Sequence, residues 1–424
     1  MVDAHRTFVI VGGGLAGAKA AETLRAEGFT GRVILIGDER DHPYERPPLS
    51  KGYLTGKEER DSVFVHEPAW YAQAQVELHL GQTVTAIDRA TRCVHLGDGT
   101  SVRYDKLLLA TGAEPRRLDI PGTDLAGVHH LRRLAHADRL RRVLTSLGRD
   151  NGHLVIAGAG WIGLEVAAAA RSYGAEVTVV EAEQTPLHQV IGPELGQLFT
   201  ELHREHGVRF HFGARLTEIT GQDGVVLAAR TDDGEEHPAH DVLAAIGAAP
   251  RTALAESAGL VIADRAHGGG IAVDASLRTS DPDVFAAGDV ASFPFARHGA
   301  APGARVRVEH WANALNGGPA AARAMLGQDL AYERIPYFFS DQYDLGLEYS
   351  GWAPPGSYDQ VVVRGDAGKR EFVAFWLKDR RVLAGMNVNV WDVTEDIQRL
   401  IRSGAQQDLD ALADPSAPLG SLAP

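Results

Sequence analysis

FVIVGGGLAG at residues 8–17 is matched, 146 positions later, by LVIAGAGWIG at residues 154–163. Each is a run of apolar β-formers that enters a glycine turn. An Ala-rich helical stretch follows each turn, at residues 18–27 and 164–173, and then a second apolar strand, at residues 32–38 and 176–181. The spacing predicts two strand–turn–helix–strand units. Their far ends correspond as well: LLLATGAEPR at residues 107–116 parallels LAAIGAAPR at residues 243–251, each closing a strand with Gly-x-x-Pro-Arg. Strands this continuously apolar belong to a parallel sheet covered on both faces. The fold class is therefore α/β, with two Rossmann-like dinucleotide-binding domains.

From residue 332 the pattern changes to short aromatic and β-branched runs, YFFSDQYDLGLEYSGW, QVVVRG, EFVAFWLK and RVLAGMNV, with a turn expected at Gly365-Asp366. These predict a C-terminal α+β domain built on an antiparallel sheet. A helix is expected over residues 394–402, and the stretch after Gly404, ending PSAPLGSLAP, reads as a poorly ordered tail. The expected division is a discontinuous first domain (1–118 and 247–327), a second domain inserted within it (119–246) and a third at 328–424.

Bulk properties narrow the function. A chain of 424 residues exceeds one ordinary core. A net charge of −14 argues against general affinity for nucleic acid or anionic membrane. The first apolar run is broken at once by Gly12, Gly13 and Gly14, so it reads as neither signal peptide nor membrane span, and a cytoplasmic location is expected. The single cysteine, Cys93, excludes an intramolecular disulfide and a cysteine-built metal site; no metal is expected.

Gly12-x-Gly14-x-x-Gly17 has the strand-to-helix context that a pyrophosphate cradle requires, with Leu15 and Ala16 opening the helix whose free N–H groups face the anion. Asp38 ends the next strand where a carboxylate would accept from an adenosine ribose, and Glu39 beside it is an equal alternative. Gly158-x-Gly160-x-x-Gly163 repeats the cradle with Trp161 and Ile162, and its following strand ends in Glu181. An acid there suits the two ribose hydroxyls of NADH, and no Lys or Arg occurs over residues 182–191 to bind the extra phosphate of NADPH. Gly247 is expected to let the chain pass close to this second dinucleotide.

YERPPLSK at residues 44–51, together with the two glycine motifs, Ala110-Thr111-Gly112 and AAGDV at residues 286–290, resembles the FAD-dependent ferredoxin reductases that serve ring dioxygenases and heme mono-oxygenases. The resemblance spans nearly the whole chain. It implies FAD and NADH as cofactors, and a small iron–sulfur ferredoxin as partner. It places Arg46, Pro47 and Lys51 at the flavin, the lysine near N5, where a cation would stabilise negative charge on the reduced ring. It also assigns Val84 to the adenine, Arg132 to FAD contact, Gly288 and Asp289 to the ribityl–pyrophosphate region and Trp311 to the flavin edge. In the wider two-dinucleotide flavoproteins a glutamate matching Glu165 pairs with the flavin lysine, so a Lys51–Glu165 pair is expected. Tyr337, Phe338 and Phe339 match the third-domain segment that approaches the flavin, with Phe338 or Phe339 as its neighbour. Arg305 and Arg307 alternate along a strand before Trp311 and suggest a basic docking face.

The implied reaction is hydride transfer from NADH to FAD, then single electrons to the ferredoxin. Alternatives are an oxidase or quinone reductase, or a flavoprotein like apoptosis-inducing factor whose reduction switches its partners.

Overall fold

The computed structural model describes residues 5–265, 268–295 and 303–423. The chain forms two compact units. The first holds Met1–Glu45, Arg60–Glu114 and Ala249–Tyr337, and the second Arg46–Glu59, Pro115–Ala248 and Phe338–Pro424.

In the first unit a five-stranded parallel sheet runs in the order Val284–Ala286, Lys106–Leu109, Thr7–Val11, Arg32–Gly37, Val76–Leu80. Phe8, Val9 and Ile10 on the central strand are fully buried, as are Val33, Ile34 and Leu35 on its neighbour, which is why these strands carry no polar alternation. Helix Leu15–Ala26 follows the glycine turn, and helix Trp311–Met325 lies against it. That approach needs Gly318, because a Cβ there would stand 2.2 Å from the Ala16 carbonyl oxygen.

The second unit repeats the plan, with parallel strands in the order Val208–Phe212, Glu176–Glu181, His153–Ala157, Asp241–Ala244, Val128–His129. A three-stranded antiparallel sheet, Leu216–Gln222, Val225–Thr231 and Glu236–Pro238, packs on it through a core that includes Val155, Val180, Ile219 and Ala229. Residues 337–388 supply the five-stranded antiparallel sheet, and helix Thr394–Ser403 covers it with Ile397 and Leu400.

Two local expectations are corrected. Residues 405–423 are packed onto the fold: Asp408 caps helix Leu409–Ala413, Leu412 and Leu419 are buried, and the Arg364 guanidinium donates to the carbonyls of Asp414 and Ala417. Two leucines spaced through a Pro- and Ser-rich segment suffice to pin it. Gly365 and Asp366 end the strand Gln360–Asp366, and the turn falls on Ala367–Lys369, where the Asp366 carboxylate accepts from the Lys369 N–H.

Candidate functional site

The two glycine turns are built alike. Gly12 N–H donates to Ile36 O and Gly158 N–H to Val180 O, each at 2.8 Å, tying the turn to the neighbouring strand. Gly12 has φ +128°, and a Cβ on it would stand 2.0 Å from Ala110 O; one on Gly17 would stand 2.1 Å from Gly12 O. The corresponding clashes in the second turn are 2.6 Å between Gly158 and Ala245 O, and 2.2 Å between Gly163 and Gly158 O. The middle glycines are the opposite case: a Cβ on Gly14 or Gly160 would meet nothing within 4 Å. They are the N-caps of helices Leu15–Ala26 and Trp161–Tyr173, neither capped by a side chain nor carrying an acid in its first turn. Open space before uncapped N–H groups at a helix's positive end fits a pyrophosphate, and both turns pass this test.

Around the first turn, Ala110 N–H donates to Val11 O, and the Thr111 hydroxyl to Arg251 O at 3.0 Å. Asp38 accepts from Arg251 Nη2 at 3.1 Å, while Glu39 accepts from the Tyr44 hydroxyl at 2.6 Å. Both ribose candidates are thus held at the strand end. Gly288 and Asp289 form the 3-10 turn Gly288–Val290, and a Cβ on Gly288 would lie 3.2 Å from Ala16 Cβ. Trp311 opens helix Trp311–Met325 half-buried, its Nε1–H donating to Glu45 Oε2 at 3.1 Å. Val84 begins strand Val84–Asp88, hairpin partner of Cys93–Leu96. Cys93 sits on that hairpin, its thiol 3.6 Å from Thr91 O.

Arg305 and Arg307 do not present the free basic face expected of them. Arg305 donates to the carbonyls of Val273 and Ser292, and Arg307 to those of Gly268 and Asp289 and to Glu309. Alternation put both on one side of the strand Arg305–Arg307, but backbone carbonyls there claim the guanidiniums.

In the second unit, Glu181 Oε2 accepts from the Ala159 N–H at 2.6 Å and Oε1 from the Glu183 N–H at 2.9 Å, which holds the carboxylate against the glycine turn. Ile162, in the first turn of helix Trp161–Tyr173, and Ile246, just after strand Asp241–Ala244, leave apolar side chains exposed, 42% and 37%. Gly247, at φ +91°, follows them and accepts from the Arg116 N–H at 2.9 Å.

The chemical centre of the unit is a buried carboxylate. Glu165, in the second turn of its helix and 4% exposed, accepts from Lys51 Nζ at 2.6 Å, from Ser340 Oγ at 2.6 Å and from Ser50 Oγ. Segment Arg46–Glu59 belongs to this unit, and that brings Lys51 to Glu165 across 114 positions. The 3-10 turn Pro47–Ser50 stiffens the approach, and Arg46 donates to Arg132 O. The Phe339 ring lies 5.4 Å from Lys51 Nζ, whereas Phe338 is buried against Tyr349 and Trp161. Behind Ser340 the hydrogen bonds continue. Gln342 Nε2 donates to Ser340 Oγ at 3.1 Å, Gln342 Oε1 meets His203 Nε2 at 2.8 Å, and His203 Nδ1 meets the Tyr343 hydroxyl at 3.2 Å. Burial pushes the His203 imidazole down to about 4. Neutral His203 accepts at Nδ1 and donates at Nε2, so every donor in the chain points toward Glu165. Ser50, Ser340, Gln342 and His203 were not singled out as site residues from sequence, since nothing local marks a serine or glutamine as the partner of a distant carboxylate.

Residues 6–318 match the pyridine nucleotide-disulphide oxidoreductase family, and residues 337–423 the reductase C-terminal family. The ferredoxin–NAD(P)+ reductase of a Sphingomonas species is 36% identical, the match covering 99% of this chain and 98% of that protein. Putidaredoxin reductase of Pseudomonas putida is 36% identical, with 99% and 97% covered. Among solved structures, the putidaredoxin reductase chain in its covalent complex with putidaredoxin superposes with a TM-score of 0.91 at 35% identity, covering 99% of this chain and 98% of that one. The chain belongs to the FAD-dependent NAD(P)H ferredoxin reductase family, within the pyridine nucleotide-disulphide oxidoreductases.

Proposed function

We propose that this protein is an NADH-dependent ferredoxin reductase that supplies an oxygenase through a small iron–sulfur ferredoxin. FAD held here would supply the chemistry that links two-electron hydride acceptance to one-electron donation. The carrying observation is the Lys51–Glu165 pair at 2.6 Å, together with a lone cysteine placed on a hairpin strand. With no second thiol in the chain, electrons cannot pass through an internal dithiol–disulfide couple and must leave the flavin directly.

Gly12, Gly14, Leu15, Ala16 and Gly17 hold the FAD pyrophosphate in this reading. Asp38 or Glu39 takes the ribose; Val84, Arg132, Gly288 and Asp289 complete the FAD contacts; Trp311 borders the ring. The Lys51 ammonium supplies positive charge where the reduced ring carries negative charge, and Glu165 with its hydroxyl donors orients that ammonium. Gly158, Gly160, Trp161, Ile162, Gly163 and Gly247 receive the nicotinamide dinucleotide, and Glu181 selects NADH by accepting from the ribose and repelling a phosphate. Among the described residues no helix is long and apolar enough to cross a membrane, and we place the protein in the cytoplasm.

The test is NADH-driven reduction of a panel of [2Fe–2S] ferredoxins, read beside oxygen consumption by the same FAD-loaded protein. Transfer to at least one ferredoxin well above the oxygen rate is expected. Rapid oxygen or quinone reduction with no ferredoxin transfer would overturn the assignment.

A further inference from the structure

Far along the chain from the glycine turn, strand Val208–Phe212 carries a second group of polar side chains in the second unit. Among the described residues, His211, Glu235 and His237 place ligand-type atoms all within 4.8 Å of one another. The two imidazoles approach edge to face, with ring centroids 4.9 Å apart.

His211 stands between two carboxylates: Nε2 is 2.7 Å from Asp233 Oδ2, and Nδ1 is 3.2 Å from Glu235 Oε2. A neutral imidazole donates from one nitrogen only, so one carboxylate would face a lone pair unless a second proton or a cation intervenes. Asp233 is the better fixed of the two, because its Oδ1 accepts from the Thr231 hydroxyl at 2.5 Å and from the Glu235 N–H at 3.2 Å. It therefore claims the Nε2 proton and leaves Nδ1 to Glu235. His237 adds an independent demand. It is 7% exposed, and its Nε2 has no hydrogen-bond partner among the described residues. A buried nitrogen left in that state is costly.

We propose that His211 Nδ1, Glu235 and His237 form a site for one divalent transition-metal ion of the zinc type. Asp233 fixes His211 through its other nitrogen, the carboxylate–histidine–metal arrangement that orients ligands in zinc proteins. Nitrogen and oxygen ligands at zinc distances, set at a tetrahedral angle, lie about 3.4 Å apart, close to the His211–Glu235 separation. Two imidazoles and a carboxylate select zinc, nickel or copper over magnesium, and the remaining position is left to water. The ion would join the parallel sheet to the strand Glu236–Pro238 and its preceding turn. His211 pairs in register with Val180, and Glu181 with Phe212, so the clamp holds the strand beside the one that presents Glu181.

The experiment uses FAD-loaded protein with no histidine tag, stripped by a chelator and titrated with zinc sulfate by calorimetry. Saturation at one ion per chain is expected, with magnesium chloride giving no signal. His237→Ala and His211→Ala should each bind at least about a hundredfold more weakly, and Asp233→Asn about 10–100-fold more weakly. Unchanged flavin absorbance and unchanged flavin reduction by NADH establish that the variants are folded. His237→Gln, which keeps the volume, serves if the alanine variant is not. X-ray absorption of the zinc form should show two imidazoles. Absence of saturable binding, or a His237 variant that binds zinc as tightly as the parent, overturns the proposal.

Discussion

The two glycine turns share one design but are finished differently. At the first, Leu15 and Ala16 are buried behind the glycines, and the strand-end acids are engaged by Arg251 and Tyr44. At the second, the matching positions are Trp161, half-buried, and Ile162, 42% exposed, and the strand-end acid is held by the backbone N–H groups of Ala159 and Glu183. A cradle enclosed by its own unit suits a cofactor that stays, and one rimmed by exposed apolar side chains suits a dinucleotide that comes and goes. On the proposed assignment, FAD takes the first turn and NADH the second.

The largest effect should come from closing the first turn. Gly12→Ala puts a Cβ 2.0 Å from Ala110 O and forces an L side chain to φ +128°; we expect protein without yellow colour after purification, measured as FAD released on denaturation. Gly158→Ala meets its carbonyl at 2.6 Å and should retain FAD while losing NADH affinity. Retention of FAD by both variants would break the comparison.

Next in size is the charged pair. Lys51→Met removes the cation and leaves the 4%-exposed Glu165 without its ion partner. Loss of such an electrostatic donor costs about 10²–10³ in rate, so stopped-flow flavin reduction should slow by that order while FAD remains bound.

The hydrogen-bond chain behind Glu165 makes a prediction about pH. His203 is fully buried, with its imidazole pushed from an ordinary 6.5 down to about 4. Between those values the unfolded chain binds the proton and the folded one does not, so stability is complete above pH 6.5 and falls as pH drops toward 4. The loss from this group should reach about 3 kcal/mol, and His203→Phe should flatten that part of a denaturation-versus-pH curve. An unchanged slope would show that other groups govern acid stability.

Smaller again, Glu181→Arg should move the kcat/KM ratio for NADH over NADPH by about tenfold or more toward NADPH, near 1.4 kcal/mol. An unchanged ratio would mean that Glu181 serves the turn alone, through Ala159 and Glu183. The smallest change is expected from Trp311→Phe, which keeps an aromatic ring and loses the bond to Glu45. Transfer to ferredoxin should slow severalfold, with flavin reduction by NADH less affected; an equal fall in both steps would make Trp311 a structural residue.

Sequence by itself determined the two parallel sheets, their glycine turns and the antiparallel third region. Those features are local, since strand periodicity, turn glycines and helix starts act within about ten residues. Resemblance of its motifs to a known family marked Lys51 and Glu165. Tertiary structure alone decided what surrounds them: Ser50 and Ser340 donating to Glu165, Gln342 and His203 behind them, and the arginines of Arg305–Arg307 turned onto backbone carbonyls. It also decided that residues 405–423 pack onto the fold, through Leu412, Leu419 and the reach of Arg364. The physical reason is common to all of these. A buried polar group must find a partner wherever the fold supplies one, and partners 50 positions apart, as Arg364 and Asp414, or 175 apart, as Ser340 and Glu165, leave no periodicity in the chain to read.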